Sequence, residues 1–285
     1  MSKKTVRRLI MFTVGVPTIV LPIIYLSYLN FLIFHIEIVI TSTIATIEMH
    51  SMFKKNFKAS FPPFLLSIFG SFIICAGYFM NMGLATWGNI IAIYLFSFFM
   101  LFFKEFCSTF KGNFEKSLHS LSAGMFSLTY PWFFSIFFSR LVSLPNPEYS
   151  IGLFLLIVFL CDSTSWLFGK FLGKGNRGVF LVSPQKSVAG FIGGYLGAMF
   201  ISIVFYYTLK MPALKLWQLT LITVFTTTAA MAGDLVESML KRACNVKDSG
   251  WIVWGRGGIL DSMDSLLFAV PVFYVTFKYF LNMNI

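Results

Sequence analysis

The chain has 285 residues, of which 57% are hydrophobic and only 12% charged, with a mean hydropathy of +0.80 and a formal net charge of +11. Soluble domains carry about 25% charged residues, and no soluble fold of this length buries so much apolar side chain. Composition therefore excludes a soluble globular domain and points to an all-α polytopic membrane protein.

About 20 apolar residues of helix cross a bilayer. On that ruler the chain reads as about nine spans in a single membrane domain, 1–285. The first runs from Leu9 to Leu29 behind the basic start MSKKTVRRL. Its apolar run is too long for a signal peptide and no small-residue cleavage site follows, so it is expected to be retained. The second, Phe31 to Met49, is interrupted by His35, Glu37 and Glu48. The third and fourth run from Phe61 to Phe79 and from Leu84 to Phe103. The fifth, Leu121 to Leu144, holds Pro131, where a kink is expected. The turn LPNPEYS closes the N-terminal spans, 1–145.

The second half, 151–285, carries the polar chemistry. The sixth span, Ile151 to Phe171, contains Asp162 and leads into the basic, glycine-rich loop GKFLGKGNRGVFLVSPQKS. The seventh, eighth and ninth spans run from Val188 to Leu209, Leu216 to Leu240 and Ile259 to Phe280. Alternating from a cytoplasmic N-terminus leaves only Arg140, Lys210, Lys215 and Lys278 of the 22 basic residues on the far side. That asymmetry supports nine spans and absorbs most of the net charge without nucleic acid. Cys75, Cys107, Cys161 and Cys244 show no metal-ligand spacing, sit in or beside apolar runs and are expected to be buried free thiols.

Five of the eleven acidic residues fall between Gly233 and Ser265: Asp234, Glu237, Asp248, Asp261 and Asp264. Carboxylates at span ends usually face a cavity, a partner or an ion. Asp234, Glu237, Ser238 and Lys241 share one helix face, and Asp261 and Asp264 share another. Gly255, Arg256, Gly257 and Gly258 precede the last span, and bare amides at a helix start suit an anion. Oxygen ligands beside lysines describe a site for Mg²⁺, with a second cation as an alternative stoichiometry, together with phosphate. Glu237 and Asp248 read equally well as salt-bridging or loop-capping groups. His35 and His50 read as structural, and no nucleophile–base pair is visible, so direct metal-assisted phosphoryl-type transfer fits best.

These residues resemble the signature of the phosphatidate cytidylyltransferases, the CDP-diacylglycerol synthases. The agreement lies in the run Ser238 to Arg242, Lys247 with Asp248, the glycines Gly255, Gly257 and Gly258, and the pair Asp261 and Asp264. GDLVES, VSPQKSVAGFIGG and CDSTSWLFGKFLGKG resemble three further runs of that family. Departures fall at Trp254, Arg256 and Ser262, where the family carries Pro, His and Arg, and at Ser187 and Ala189, where it carries Thr and Glu. Arg256 is a candidate stand-in for the cation missing at Ser262.

The resemblance implies that CTP and phosphatidate give CDP-diacylglycerol and pyrophosphate, with the active site facing the cytoplasm of a bacterial inner membrane and the enzyme a homodimer. It assigns Asp234, Asp261, Lys186 and Lys241 to catalysis, and Asp234, Asp261 and Asp264 to Mg²⁺. Ser183, Pro184, Gly190, Lys247, Arg242, Gly257, Gly258 and Asp162 are the expected substrate-binding set. Two other readings are weighed: a CTP-dependent polyprenol or dolichol-type lipid kinase, and an ion-coupled transporter. The acids lie at span ends in one half with no internal repeat, which disfavours the transporter.

Overall fold

A computed structural model describes residues 28–57, 61–109, 114, 116–209, 214–253 and 257–281. Nine α-helices are described. They are α1 (Tyr28–Phe57), α2 (Pro63–Asn81), α3 (Trp87–Thr109), α4 (Ser117–Leu128), α5 (Ile136–Leu141), α6 (Pro147–Leu172), α7 (Val188–Leu209), α8 (Leu216–Ala243) and α9 (Leu260–Phe280). The described residues contain no strand, only isolated bridges at Arg177 with Ser187 and at Val253 with Gly257. Eight stretches are long and apolar enough to cross a membrane, with α4 and α5 forming one of them, Ser117–Leu141. The protein is a multi-pass integral membrane protein. The first expected span, Leu9 to Leu29, lies almost wholly outside the described residues.

At Pro131, where a kink is expected, the helix takes a single π-helical turn, Thr129–Phe133, joining α4 to α5. Proline lacks an N–H and its ring pushes the preceding turn open, so the ladder widens to Phe134 N–H donating to the Thr129 carbonyl (3.1 Å). At the next turn Asn146 takes a left-handed backbone (φ 47°) and Pro147 starts α6. Large apolar side chains stand exposed along α3 (Leu95, Phe96, Phe99, Phe103) and α7 (Ile192, Leu196, Phe200). Such faces are intolerable in water and ordinary against lipid.

The chain divides into two compact units. One holds the described residues up to Ser143 together with Lys241–Met263; the other holds Leu144–Leu240 and the residues from Asp264 onward. The segment Lys241–Met263, expected with the C-terminal half, thus packs with the N-terminal helices. The tie is Glu48 on α1, described below.

Lipid is as apolar as a leucine side chain, so helices in a bilayer associate through close fit and polar links. In the first unit the fully buried Trp132 lies on Gly70 of α2, where any Cβ would overlap its indole. A polar thread links α1, α2 and α5. His35 donates from Nδ1 to the Phe31 carbonyl (2.8 Å) and meets the Ser139 hydroxyl at Nε2 (2.7 Å). Asn81 donates to the Ser139 carbonyl (2.9 Å) and accepts from Arg140. His35 is therefore structural, as its sequence context implies.

In the second unit α6 and α7 pack through glycines. A Cβ on Gly193 would strike Phe168, on Gly194 Ser165, and on Gly197 Thr164. Gly190–Gly194 and Gly193–Gly197 repeat the small-xxx-small spacing that lets helix backbones approach. Further along, α8 crosses α9 at Gly233, where a Cβ would lie 2.6 Å from the Asp264 carbonyl oxygen and 2.7 Å from the Phe268 Cβ.

Candidate active site

The second unit collects Asp162, Lys186 and Asp234. Lys186 leaves the end of the basic loop, where a tight turn carries Lys186 N–H onto the Ser183 carbonyl (3.0 Å). The next residue, Ser187, caps α7 by accepting from Gly190 N–H (3.1 Å). Lys186 Nζ makes an ion pair with Asp234 Oδ2 on α8. The Asp234 side chain is 36% exposed, so its carboxylate stays open to solvent and to a ligand. Asp162 lies on α6 next to the buried Cys161. The Gly233 crossing sets the Asp264 backbone against the residue preceding Asp234, and Asp264 itself is buried.

Not every residue of the expected substrate set keeps an open face. A Cβ on Gly190 would lie 2.9 Å from the Ser165 carbonyl oxygen, so this glycine packs α7 onto α6. Pro184, by contrast, is exposed on the loop, and Ser183 is half-buried in its turn.

The first unit holds the rest of the signature. α8 ends at Ala243, with Asn245 in the left-handed region (φ 53°) and Val246 N–H closing on the Lys241 carbonyl (2.9 Å). Arg242, Lys247 and Asp248 are exposed on this turn. Lys241 points back and donates to Asp261 Oδ1 (2.6 Å). The Asp261 side chain is only 5% exposed. Its Oδ2 accepts from Gly258 N–H (2.7 Å), Ser249 N–H (2.8 Å) and the Ser249 hydroxyl (2.9 Å). Gly257 pairs with Val253, donating to its carbonyl (3.1 Å) and accepting from its N–H (2.8 Å). Its φ of +105° is open to glycine alone, and a side chain there would also strike the Asp261 carboxylate.

The amides at the start of α9 are bare on sequence and occupied in the structure. Gly258 N–H goes to Asp261, and Asp261 N–H to the Ser249 hydroxyl (3.3 Å). Ile259 N–H (3.0 Å) and Leu260 N–H (2.9 Å) go to the two oxygens of Glu48. With Ser262 N–H on the Ile259 carbonyl (3.0 Å), the orphan donors of this helix start thus end on protein groups rather than on phosphate. Gly257 and Gly258 serve as the turn that seats Asp261. Trp254, Gly255 and Arg256 lie outside the described residues, so the stand-in role for Arg256 does too.

Glu48 is the residue that sequence reasoning misses. Within its own stretch it is one of two acids, with Glu37, that weaken an apolar run. Glu48 is 5% exposed, and its carboxylate is bonded across 211 and 212 residues of chain. The only local hint is its burial cost: an acid inside an apolar helix demands a partner.

A model described as the cytidylyltransferase family matches residues 6–280. The chain belongs to the cytidylyltransferase family. The resemblance carried by the signature residues is thereby borne out over the chain. Among similar proteins, one from Staphylococcus haemolyticus (strain JCSC1435) is 40% identical over 117 residues, 41% of this chain and 44% of the relative. One from Bacillus subtilis (strain 168) is 42% identical over 119 residues, 42% of this chain and 44% of the relative. Both bear the name phosphatidate cytidylyltransferase. The matched stretch spans less than half the length of these relatives.

Proposed function

We propose that this cytidylyltransferase-family protein is a phosphatidate cytidylyltransferase. The observation that carries the reading is about 40% identity, in the strongest stretch, to relatives of that name. The Lys186–Asp234 and Lys241–Asp261 pairs support it, because lysine beside carboxylate suits a polyanionic substrate together with its cation.

A phosphate oxygen of phosphatidate attacks the α-phosphorus of CTP. The bond from that phosphorus to the bridging oxygen breaks, and pyrophosphate leaves with the electron pair. Lys186 and Lys241 contact the phosphates, and Lys247 and Arg242, exposed on the turn after α8, add positive charge for the leaving pyrophosphate. Ser183 and Pro184 shape the nucleotide loop, and Asp162 orients Lys186. Among the described residues no three acidic, His or Cys side chains gather as a cation site; Asp234, open to ligand, is the residue that would hold a hard divalent cation, with Asp264 on the helix that crosses at Gly233. The family resemblance names Asp261 as a further ligand, but here its oxygens already accept from Lys241, Ser249 and Gly258, so it would have to exchange these donors to hold a cation. Bound Mg²⁺ supplies neutralisation of the triphosphate charge. The site faces the cytoplasm of a bacterial inner membrane, and the enzyme works as a homodimer.

The test is purified protein with Mg²⁺, phosphatidate and CTP labelled once in the cytosine and once at the γ-phosphate. Cytosine label enters the lipid and γ-label leaves as pyrophosphate. Label from the γ-phosphate in a lipid alcohol would instead mean a lipid kinase. No label in lipid with either substrate class would refute both.

A further inference from the structure

We propose that Glu48 is a positioning residue for the transfer reaction, holding Asp261 in place from α1. The inference rests on the cytidylyltransferase reading above.

The geometry that carries it is specific. Glu48 Oε1 accepts from Ile259 N–H and Oε2 from Leu260 N–H, while the Ser249 hydroxyl lies 3.2 Å from Oε2. The same hydroxyl reaches Asp261 Oδ2 at 2.9 Å, and Asp261 N–H returns to it. Ser249 therefore stands between the two carboxylates, its single hydroxyl proton nearer Asp261 and shared with Glu48. Packing closes around the arrangement: a Cβ on either Gly250 or Gly258 would collide with the Glu48 carboxylate. A negative group at a helix N-terminus is also favoured by the helix dipole.

Glu48 touches no reacting atom in this scheme. It fixes the first turn of α9 and, through Ser249, the direction of the Asp261 carboxylate. The two oxygens are needed together. Glutamine keeps the shape but offers one acceptor, and its NH₂ meets a backbone N–H donor to donor. Aspartate keeps the charge but, one methylene shorter, does not span both amides. Misplacement of a working group by about 1 Å costs on the order of 100-fold in rate. Loss of orientation without loss of a substrate contact falls on kcat rather than KM.

The experiment compares Glu48→Gln, Glu48→Asp and Ser249→Ala with the parent in the cytosine-label assay. Rates are normalised to the folded fraction from a thermal melt. The parent must first place cytosine label in lipid; its failure to do so sinks the functional reading and is distinct from failure of this one. Given an active parent, Glu48→Gln lowers kcat by about 100-fold with KM for CTP within about threefold, and Glu48→Asp falls between the two. Parental kcat in folded Glu48→Gln overturns the proposal. So does a loss of rate that tracks only the unfolded fraction, which is what a purely structural brace would give. Should Glu48→Gln fail to fold, Glu48→Asp decides, since it keeps the charge but cannot reach both amides, while Ser249→Ala reports the direct Ser249–Asp261 bonds separately. A kcat about tenfold down in folded Glu48→Asp supports the proposal, and a parental kcat overturns it.

Discussion

Asp261→Asn tests how far the signature aspartate is a piece of structure as well as chemistry. The Asp261 and Lys241 side chains are 5% and 15% exposed, so water screens their pair weakly. Asparagine can keep one oxygen toward the Gly258 and Ser249 amides, but its NH₂ then faces the Lys241 ammonium. The variant loses a charge-assisted hydrogen bond and leaves a mostly buried cation unpaired, which costs about 3–5 kcal/mol. For a chain of this size each kcal/mol shifts Tm by about 2–4 °C, so a drop of roughly 6–20 °C is expected. Lys241→Met is milder, about 1.5–3 kcal/mol, because the carboxylate keeps its donors at Gly258 and Ser249. The double variant removes both charges and melts above Asp261→Asn alone. Purified proteins in one detergent are melted with a thiol-reactive dye that reports exposure of the buried Cys161 and Cys244. An Asp261→Asn melt at the parental temperature would refute the reasoning, as would a double variant no more stable than the single. Cytidylyl transfer is lost in Asp261→Asn whatever its stability.

Gly233→Ala forces α8 from α9, because the new methyl meets a backbone carbonyl and a Cβ that cannot rotate away; a cost of about 1–3 kcal/mol is expected in the same melt, with lower activity at temperatures where the protein stays folded. Gly257→Ala imposes a disfavoured backbone and crowds Asp261, so activity falls by at least tenfold in the label assay, while Gly175→Ala, in open space, leaves it unchanged. Cys244 is fully buried just beyond the end of α8, and burial pushes its thiol above the ordinary value. Its contribution to stability is complete below the unfolded pKa and fades as pH rises through the folded one. Alkylation at pH 8, read by mass spectrometry, therefore modifies the exposed Cys107 well before Cys244.

Much of this protein is legible in its sequence because the membrane makes the code local. A span must satisfy its own backbone hydrogen bonds and present apolar side chains outward, so length and hydropathy locate each one. Pro131 marks the irregular turn for the same local reason, a missing N–H. The acids and lysines of Asp234 to Asp264 stand out because so few charges surround them.

Partners at long separation are what only the tertiary structure decides. No helical period links Lys186 to Asp234, Trp132 to Gly70, or Gly233 to Phe268; each contact depends on how separate helices meet. Glu48 is the sharpest case. By sequence alone it is an acid spoiling an apolar run, and the amides of α9 look open to phosphate. Folding brings the two together, because a buried carboxylate and orphaned amides each carry a desolvation cost that the other removes. The chemistry available at Asp261 follows from that meeting.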